Sequence, residues 1–266
     1  MERRRLGRTR LDVPVIGMGT WHTFDTSAGR RHIVDEALAA GINLFDSSPM
    51  YGRAENTLAQ ALEGRRIAAQ IATKIWTDDA NEGRRQADYA LRLFGHIEIH
   101  QVHNLMNWPA QLKLLEGLRD SGRVSVVGAT HYMTSAFPEL LKLMRTGRLG
   151  MVQVPYNPLR PEAARSVLPL AEELGMGVFV MSPLQGGILD VRPSDEELRF
   201  LRVRTWPQAV LKWIASDPRV SCVLTATQTP GHVTANAEAG NGPWFSSEQR
   251  ALVERITRGR RGSSGF

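Results

Sequence analysis

The chain contains very little cysteine, which excludes two common classes of small protein. Only one of its 266 residues is a cysteine, Cys222. A single thiol cannot form an intramolecular disulfide, and no spacing of cysteine and histidine is typical of a zinc site. The sequence therefore predicts no disulfide framework, no metal site and a reducing environment, with Cys222 as a small core residue.

Long apolar runs are also absent. No stretch approaches the roughly 20 consecutive apolar residues that a membrane-spanning helix needs. The first residues are charged, which is not typical of a secretory leader. We therefore expect no membrane partner and a soluble, cytoplasmic protein.

Aromatic residues are missing from the two arginine-rich ends that carry much of the positive charge. The formal net charge is +6, and arginines cluster in residues 3–10 and 258–261. Such ends bind nucleic acid or an acidic membrane surface, or they are solvated termini. Because no aromatic residue that could stack on a base interleaves with these arginines, we favour solvated termini and expect no nucleic-acid partner.

What the chain does contain is a regular alternation of short apolar segments and segments with helical spacing. Apolar residues make up 42% of the sequence, which is enough for a large core. Most of the helical segments are followed by a glycine, as is typical of a helix C-terminus. The apolar segments, which we predict to be strands, are residues 15–18, 42–45, 70–73, 97–102, 124–127, 151–154, 177–181 and 220–224.

Each predicted strand is followed by a predicted helix. The strands are continuously apolar rather than alternating, which indicates a parallel sheet that helices cover on its outer face. No internal repeat beyond this strand–helix unit and no second domain is evident. The predicted helices are residues 28–40, 54–62, 83–94, 109–121, 134–144, 161–174, 207–215, 233–239 and 247–256.

A closed barrel, which typically has about 250 residues, fits this length better than an open doubly wound sheet. Residues 17–21 (Gly-Met-Gly-Thr-Trp) follow the first strand but lack the third glycine of a dinucleotide fingerprint. We therefore predict one α/β domain over residues 1–266, a (β/α)8 TIM barrel. A short β-hairpin around Leu11 and Asp12 precedes it, and residues 257–266 form a tail that is either disordered or draped over the barrel mouth.

Polar residues follow all eight predicted strands, where such barrels carry their functional side chains. Asp46 and Tyr51 follow the second strand, Lys74 the third and His103 the fourth. A carboxylate at the end of a buried strand needs a cation nearby, because burying it unpaired is costly. We therefore expect these four side chains to share one pocket.

The four groups suit the donation of a proton. The unperturbed pKa of a tyrosine is about 10, and an adjacent ammonium group favours the phenolate and eases proton release. Lys74 can be that ammonium, Asp46 can hold it in place, and His103 can hydrogen-bond a substrate oxygen or share in proton delivery. Such a site can protonate an oxygen that gains negative charge, as a carbonyl oxygen does when it accepts hydride.

Seven short segments carry a more specific signal. They are residues 17–21, 45–52 (Phe-Asp-Ser-Ser-Pro-Met-Tyr-Gly), 72–74 (Ala-Thr-Lys), 102–104 (Val-His-Asn), 152–157, 182–184 (Ser-Pro-Leu) and 229–236. Through them the chain resembles aldo-keto reductases over essentially its full length. The resemblance implies NAD(P)H-dependent reduction of a small carbonyl compound, with Tyr51 as general acid assisted by Lys74, Asp46 and His103. It implies NADP as the cofactor, with NAD as an alternative.

The resemblance also implies where the cofactor and the substrate bind. The residues expected to border the cofactor are Gly19, Thr20, Trp21, Thr130, His131, Gln153, Met181, Ser182, Leu184, Gly186, Thr227, Gln228, His232 and Asn236. A second set either lines a substrate pocket or packs the barrel rim, and we favour the pocket. This set comprises Trp21, Met50, Trp76, Met106 and Trp108.

The chain departs from the family pattern around the cofactor. Thr130 and His131 stand where the family usually has a Ser-Asn pair, and His131 adds a titratable group beside the nicotinamide. Met181 stands where the family usually has an aromatic residue that stacks on the nicotinamide ring.

At the adenosine end of the cofactor, Ala226 and His232 stand where NADP-preferring members carry a Lys or Arg that binds the 2′-phosphate. The charge-assisted contact to this phosphate is therefore weakened, and NAD remains an alternative. The connection 187–205 is short, and we expect a loosely held cofactor.

Other interpretations of the same residues remain open. Asp46 and Lys74 can be an ion pair that only stabilises the barrel mouth, Tyr51 an aromatic lid and His103 a core histidine. The chain can also be a regulatory protein that binds a nicotinamide cofactor with little turnover. A third alternative is a lyase with Lys74 as a Schiff-base amine, which requires a neutral lysine and is opposed by Asp46. The sequence carries no signal for the oligomeric state.

Overall fold

The architecture is a closed barrel of eight parallel strands, and the prediction of a (β/α)8 fold with an N-terminal hairpin is confirmed. The computed structural model describes residues 1–259. Each barrel strand pairs with the next along the chain, and the last closes onto the first. The hairpin strands are β1 (Arg3–Arg5) and β2 (Asp12–Pro14), and the barrel strands are β3 (Ile16–Gly19), β4 (Leu44–Asp46), β5 (Gln70–Ile75), β6 (Ile97–His103), β7 (Val124–Thr130), β8 (Met151–Pro155), β9 (Gly177–Met181) and β10 (Cys222–Thr225).

Helices connect the strands on the outside of the barrel. The helix Asp195–Phe200, α8, is absent from the prediction, although Ser194 and Glu197 form a capping box in the sequence. The Ser194 hydroxyl accepts from the Glu197 amide at 3.2 Å, and the Glu197 carboxylate accepts from the Ser194 amide at 2.7 Å. The helices are α1 (Arg31–Ala39), α2 (Ala54–Ala61), α3 (Ala80–Phe94), α4 (Trp108–Asp120), α5 (Phe137–Arg145), α6 (Glu162–Arg165), α7 (Val167–Leu174), α8 (Asp195–Phe200), α9 (Trp206–Ala215), α10 (Pro230–Glu238) and α11 (Ser247–Gly259).

Several strands run further toward their carboxyl ends than the apolar pattern predicts. Asp46 is in register with Ala72, and His103 is in register with Thr130. The backbone ladder therefore continues past the apolar residues into the polar ones. This matters for function, because a side chain on a paired strand is held more rigidly than one on a loop.

The turn of the hairpin lies earlier than predicted. Asp12 is already in β2, opposite Arg5, and the amide of Leu6 donates to the Leu11 carbonyl at 2.8 Å. Gly7 has a φ of +54° and approaches the barrel closely, since a Cβ there would lie 2.4 Å from the Gly175 carbonyl oxygen. The turn therefore needs glycine at position 7, and this contact with the barrel was not visible in the local pattern.

The hairpin closes the amino-terminal end of the barrel with an apolar plug. Leu6 is fully buried and packs with the lower layer of inward-facing side chains. Such stacked layers fill a TIM barrel, so that it has a core rather than a pore. The next layer toward the carboxyl ends contains polar side chains and forms the floor of the site described below. The apolar partners of Leu6 are Val13, Leu44, Ala72, Ile99, Val126, Met151, Phe179, Cys222 and Leu224.

The carboxyl-terminal helix is longer than predicted. Helix α11 continues through Gly259, so residues 257–259, which were assigned to the tail, are helical. The rest of that predicted tail, residues 260–266, lies outside the described residues. Within residues 1–259, no helix has the length and apolarity needed to cross a membrane.

Candidate active site

A cavity of about 680 Å³ lies at the carboxyl ends of the barrel strands. It receives side chains from the ends of all eight strands, as the distribution of polar residues predicted. The predicted site residues that line it are Gly19, Thr20, Trp21, Asp46, Met50, Tyr51, Trp76, His103, Thr130, Gln153, Met181, Ser182, Leu184 and Asn236.

The floor of the cavity contains a buried ion pair. Lys74 Nζ donates to Asp46 Oδ1 at 2.8 Å, to Asp46 Oδ2 at 2.7 Å and to the Ser47 carbonyl oxygen at 2.7 Å. Lys74 is 1% exposed and Asp46 is 3% exposed. Burial disfavours the charged lysine, but Asp46 and Tyr51 together raise the pKa of Lys74 above its usual value. Asp46 and the Ser47 carbonyl therefore hold Lys74 in place as a cation, and it is not a free amine.

Tyr51 stands over this pair. It ends a short 3₁₀ turn, Pro49–Tyr51, in which the Ser48 hydroxyl accepts from the Met50 amide at 3.2 Å. The centroid of the Tyr51 ring lies 5.0 Å from Lys74 Nζ. The His103 ring lies 5.9 Å from the Tyr51 ring, and the two planes are nearly perpendicular at 88°. The structure therefore brings together the four side chains that were predicted to share a pocket.

The pKa of Tyr51 differs from the expectation. Burial raises this pKa, Lys74 lowers it and Asp46 raises it, and the net shift is upward. Burial outweighs the expected lowering by Lys74, and the negative charge of Asp46 opposes that lowering as well. Tyr51 is therefore a neutral phenol at physiological pH, which is the form that can give up a proton.

His103 is held as a neutral ring. Its Nδ1 lies 2.9 Å from the Ser48 hydroxyl oxygen, which already accepts from the Met50 amide. When the Ser48 hydroxyl donates to Nδ1, the ring proton lies on Nε2, which then points its hydrogen at a neighbouring acceptor. Burial, and then the charges of Lys74 and His131, lower the pKa of His103 to about 2. At neutral pH, His103 can therefore donate a hydrogen bond but is not a cationic acid.

Two glutamines complete the floor, and one of them was missed. Gln101 Nε2 donates to Gln153 Oε1 at 2.9 Å and lies 3.4 Å from Asp46 Oδ1. Gln153 Nε2 lies 3.5 Å from Asp46 Oδ2. Gln101 lies within a predicted strand rather than after it, where the sequence predicts no site residue. Gln101 lies two residues before His103 and so on the same face of the strand, which was the signal that could have identified it.

Five of the predicted cofactor residues do not line the cavity. His131 is turned away, because its Nδ1 accepts from the Met133 amide at 3.1 Å and its ring stacks on Tyr132 at 5.5 Å. Tyr132 takes its place in the lining. The other four are Gly186, Thr227, Gln228 and His232.

The predicted substrate residues also divide into two groups. Trp21, Met50 and Trp76 line the cavity, and the Trp21 ring lies 6.4 Å from the Tyr51 ring. Met106 and Trp108 do not line it. Trp108 begins α4, and its indole nitrogen donates to Glu139 Oε1 on α5 at 3.2 Å, which directs the ring toward the outer helices.

The cavity contains an arginine that the sequence analysis missed. Arg160 lines the wall, and its amide donates to the Asn157 carbonyl and side-chain oxygens at 2.9 and 3.0 Å. Among residues 1–259, no carboxylate lies within 4.0 Å of its guanidinium nitrogens. Since Lys74 neutralises Asp46, Arg160 adds an unpaired positive charge to the lining. The other lining residues missed by the sequence analysis are Tyr132, Pro183 and Leu224.

Comparisons with known proteins agree with this architecture. A model of the aldo/keto reductase family matches residues 15–258. An uncharacterized oxidoreductase of Bacillus subtilis, YrpG, is 32% identical over 225 residues, which cover 71% of this chain and 68% of that protein. The aldo-keto reductase AKR11C1 from Bacillus halodurans superposes with a TM-score of 0.79 at 23% identity over 96% of each chain.

A second solved structure has the same fold. It is an aldo-keto reductase from Klebsiella pneumoniae in complex with NADPH, with a TM-score of 0.79 at 21% identity, covering 97% of this chain and 96% of that one. At these identities the superpositions establish the fold, whereas the family model covers most of the sequence itself. The chain belongs to the aldo/keto reductase family.

Proposed function

We propose that the protein is a carbonyl reductase that uses NADPH. The observation that carries this proposal is the arrangement of Tyr51 over the buried Asp46–Lys74 pair, with neutral His103 beside it, at the floor of a large cavity. A carbonyl oxygen that lies between Tyr51 and His103 meets two hydrogen-bond donors. Such donors stabilise the negative charge that develops on the oxygen when the carbonyl carbon accepts hydride.

The cavity has features that fit a nicotinamide. Thr130 is buried, and its hydroxyl has no partner within residues 1–259, as is also true of the Asn104 side-chain oxygen. Gly19 lines the cavity, and a Cβ there would be in ordinary van der Waals contact with the Ala226 Cβ and the Thr225 carbonyl oxygen, both 3.8 Å away. A carboxamide bound in the cavity can pair with the Thr130 hydroxyl. Gln153 and Ser182 line the same region.

A reduced nicotinamide bound here would supply the hydride for the carbonyl carbon and would become the oxidised nicotinamide, while the Tyr51 hydroxyl supplies a proton to the oxygen, which gives an alcohol. Lys74 stabilises the phenolate that remains, and Asp46 keeps Lys74 charged and in place. His103 orients the substrate oxygen through Nε2. A Schiff-base mechanism at Lys74 is disfavoured, since that mechanism needs a neutral amine and Asp46 raises the pKa of Lys74 and keeps it charged.

The direct test combines nucleotide binding with turnover. We expect the purified protein to bind NADPH and to oxidise it only when an aldehyde or ketone is added, with one alcohol formed per NADPH consumed. The assay follows the absorbance of the reduced nicotinamide across a panel of aromatic and aliphatic carbonyls. Binding without any carbonyl-dependent oxidation would favour the regulatory alternative. Failure to bind either reduced nucleotide would contradict both.

The unpaired charge of Arg160 gives a separate prediction about binding. Both NADPH and NADH carry a pyrophosphate, so an arginine that meets this group should contribute equally to both. We expect Arg160→Met to raise the Kd of each nucleotide by about tenfold, the effect of losing one charge-assisted hydrogen bond. Titration of each nucleotide measures this.

The control for this prediction is Arg165→Met, on the neighbouring helix α6, where the side chain is exposed. It should leave both Kd values unchanged. Equal Kd values for wild type and Arg160→Met would exclude a contact between Arg160 and the pyrophosphate.

A further inference from the structure

The segment that follows β10 has no cation of its own. Residues 226–232, Ala-Thr-Gln-Thr-Pro-Gly-His, contain neither lysine nor arginine. The cavity nevertheless extends to this segment, since Ala226 and Asn236 belong to its lining. A nucleotide that lies along the cavity with its nicotinamide near Tyr51 therefore has its other end near the connection between β10 and α10.

A cation reaches this connection from elsewhere in the chain. Arg30 directly precedes α1, and α1 packs beside α10. Arg30 Nη2 donates to the Gln228 side-chain oxygen at 3.3 Å, and Arg30 Nε donates to the Thr23 carbonyl at 2.8 Å. The bond to Thr23 fixes the orientation of the guanidinium, and the bond to Gln228 holds it against the segment after β10.

The charge of Arg30 is not neutralised by the residues around it. Within the described part of the chain, no carboxylate lies within 4.0 Å of its guanidinium, and Nη1 has no hydrogen-bond partner. Glu36, the acidic residue at the same α1–α10 contact, instead accepts from the Thr234 hydroxyl. A guanidinium has five donors in a planar fork that suits a phosphate group. Arg30 keeps donors free for such a ligand.

We propose that Arg30 binds the 2′-phosphate of NADPH and thereby selects NADPH over NADH. This inference rests on the proposed function, because it assumes a nicotinamide cofactor. It places the selecting cation in the connection between β3 and α1, not at positions 226 and 232, where the sequence offers Ala226 and His232. Arg30 is a specificity residue here, with no part in the chemical step.

The test is a comparison of Kd values for NADPH and NADH in wild type, Arg30→Met and Arg30→Lys. We expect Arg30→Met to raise the Kd of NADPH by about 10- to 100-fold, since one charge-assisted contact is lost. The Kd of NADH should stay within about twofold, because NADH lacks the phosphate. Arg30→Lys should fall between wild type and Arg30→Met, since an ammonium keeps the charge but not the fork.

The matched control is Arg31→Met. Arg31 is the next residue, is exposed, and its Nη2 donates to the Glu63 carbonyl at 2.9 Å, away from the segment after β10. It should leave both Kd values unchanged. A second probe, adenosine 2′,5′-bisphosphate, should displace NADPH from wild type far better than adenosine 5′-monophosphate does, and Arg30→Met should abolish that difference.

Each of these measurements either supports or contradicts the role of Arg30 in selecting NADPH. An NADPH-to-NADH affinity ratio that Arg30→Met leaves unchanged would overturn the inference, as would an equal shift in Arg31→Met. The unchanged NADH affinity of Arg30→Met also serves as the check that the variant is folded. If the wild type binds NADPH but reduces no carbonyl, the proposed reaction fails and the inference about Arg30 is still decided. If it binds neither nucleotide, both fail.

Discussion

Replacing Tyr51 by phenylalanine should lower kcat for carbonyl reduction by about 10²- to 10⁴-fold, the usual contribution of a general acid. Phe lacks only the hydroxyl, so the ring still packs against His103 and over Lys74. The Kd of NADPH should therefore stay close to that of the wild type. A loss of kcat without a loss of nucleotide binding is the pattern expected when an interaction is made only in the transition state.

The pH dependence should report the same group. Burial raises the pKa of Tyr51, so the phenol keeps its proton through the neutral range. A general acid works only while protonated, and reduction should therefore decline on the alkaline side, not on the acidic side. This alkaline decline should be missing from the residual activity of Tyr51→Phe.

The control for this variant is Tyr89→Phe. Tyr89 lies on α3, is exposed, and its hydroxyl donates to the Asn56 side-chain oxygen, outside the cavity. It removes the same atom from a similar side chain and should leave kcat unchanged. The assignment of Tyr51 as general acid would be wrong if Tyr51→Phe kept a kcat within a few-fold of that of Tyr89→Phe.

Replacing Lys74 by methionine should have the largest effect on stability. The change leaves the Asp46 carboxylate buried without its cation, with only the long contacts to Gln101 and Gln153 at 3.4 and 3.5 Å. Breaking a buried ion pair from one side typically lowers the free energy of unfolding by about 3–5 kcal/mol. Carbonyl reduction should be lost as well, since Tyr51 loses the ammonium that stabilises its phenolate.

The double variant Asp46→Asn with Lys74→Met separates stability from activity. It removes both charges, so most of the lost free energy of unfolding should return, whereas activity should stay absent. Urea unfolding of the single and double variants measures the first effect, and turnover measures the second. Burial already raises the pKa of Asp46 in the wild type, where Lys74 lowers it, so loss of Lys74 raises this pKa further. The destabilisation should therefore shrink as the pH falls and Asp46 gains a proton.

Two outcomes would contradict this account. An unfolding free energy for Lys74→Met equal to that of wild type would mean that the ion pair does not constrain the fold. Substantial reductase activity in the double variant would mean that the pair serves stability alone, the alternative interpretation that the sequence left open.

Much of the fold was determined locally and could be predicted. Continuous apolar strands, helical spacing and glycine at helix ends repeat along the chain, and each signal acts over a few residues. The hairpin turn was placed wrongly because its position depends on Gly7 meeting Gly175, a contact between residues far apart in the sequence. Helix α8 was missed although its capping box is local, so that error lay in the interpretation and not in the signal.

Part of the candidate site could likewise be predicted from local sequence signals. Asp46, Tyr51, Lys74 and His103 could be named from the sequence, because parallel strands bring their carboxyl ends to one face and a buried carboxylate requires a cation. The end of a buried strand is visible in the sequence as the point where an apolar segment gives way to polar residues.

Only the tertiary structure decided which further side chains share the site and in what state. It turned His131 onto Tyr132, left Arg160 unpaired in the cavity wall and brought Arg30 to Gln228. It also raised the pKa of Tyr51, where sequence reasoning expected a lowering. The physical reason is that burial and long-range electrostatics depend on distances between segments far apart in the chain, whereas a sequence pattern reports the order and spacing of residues within a segment.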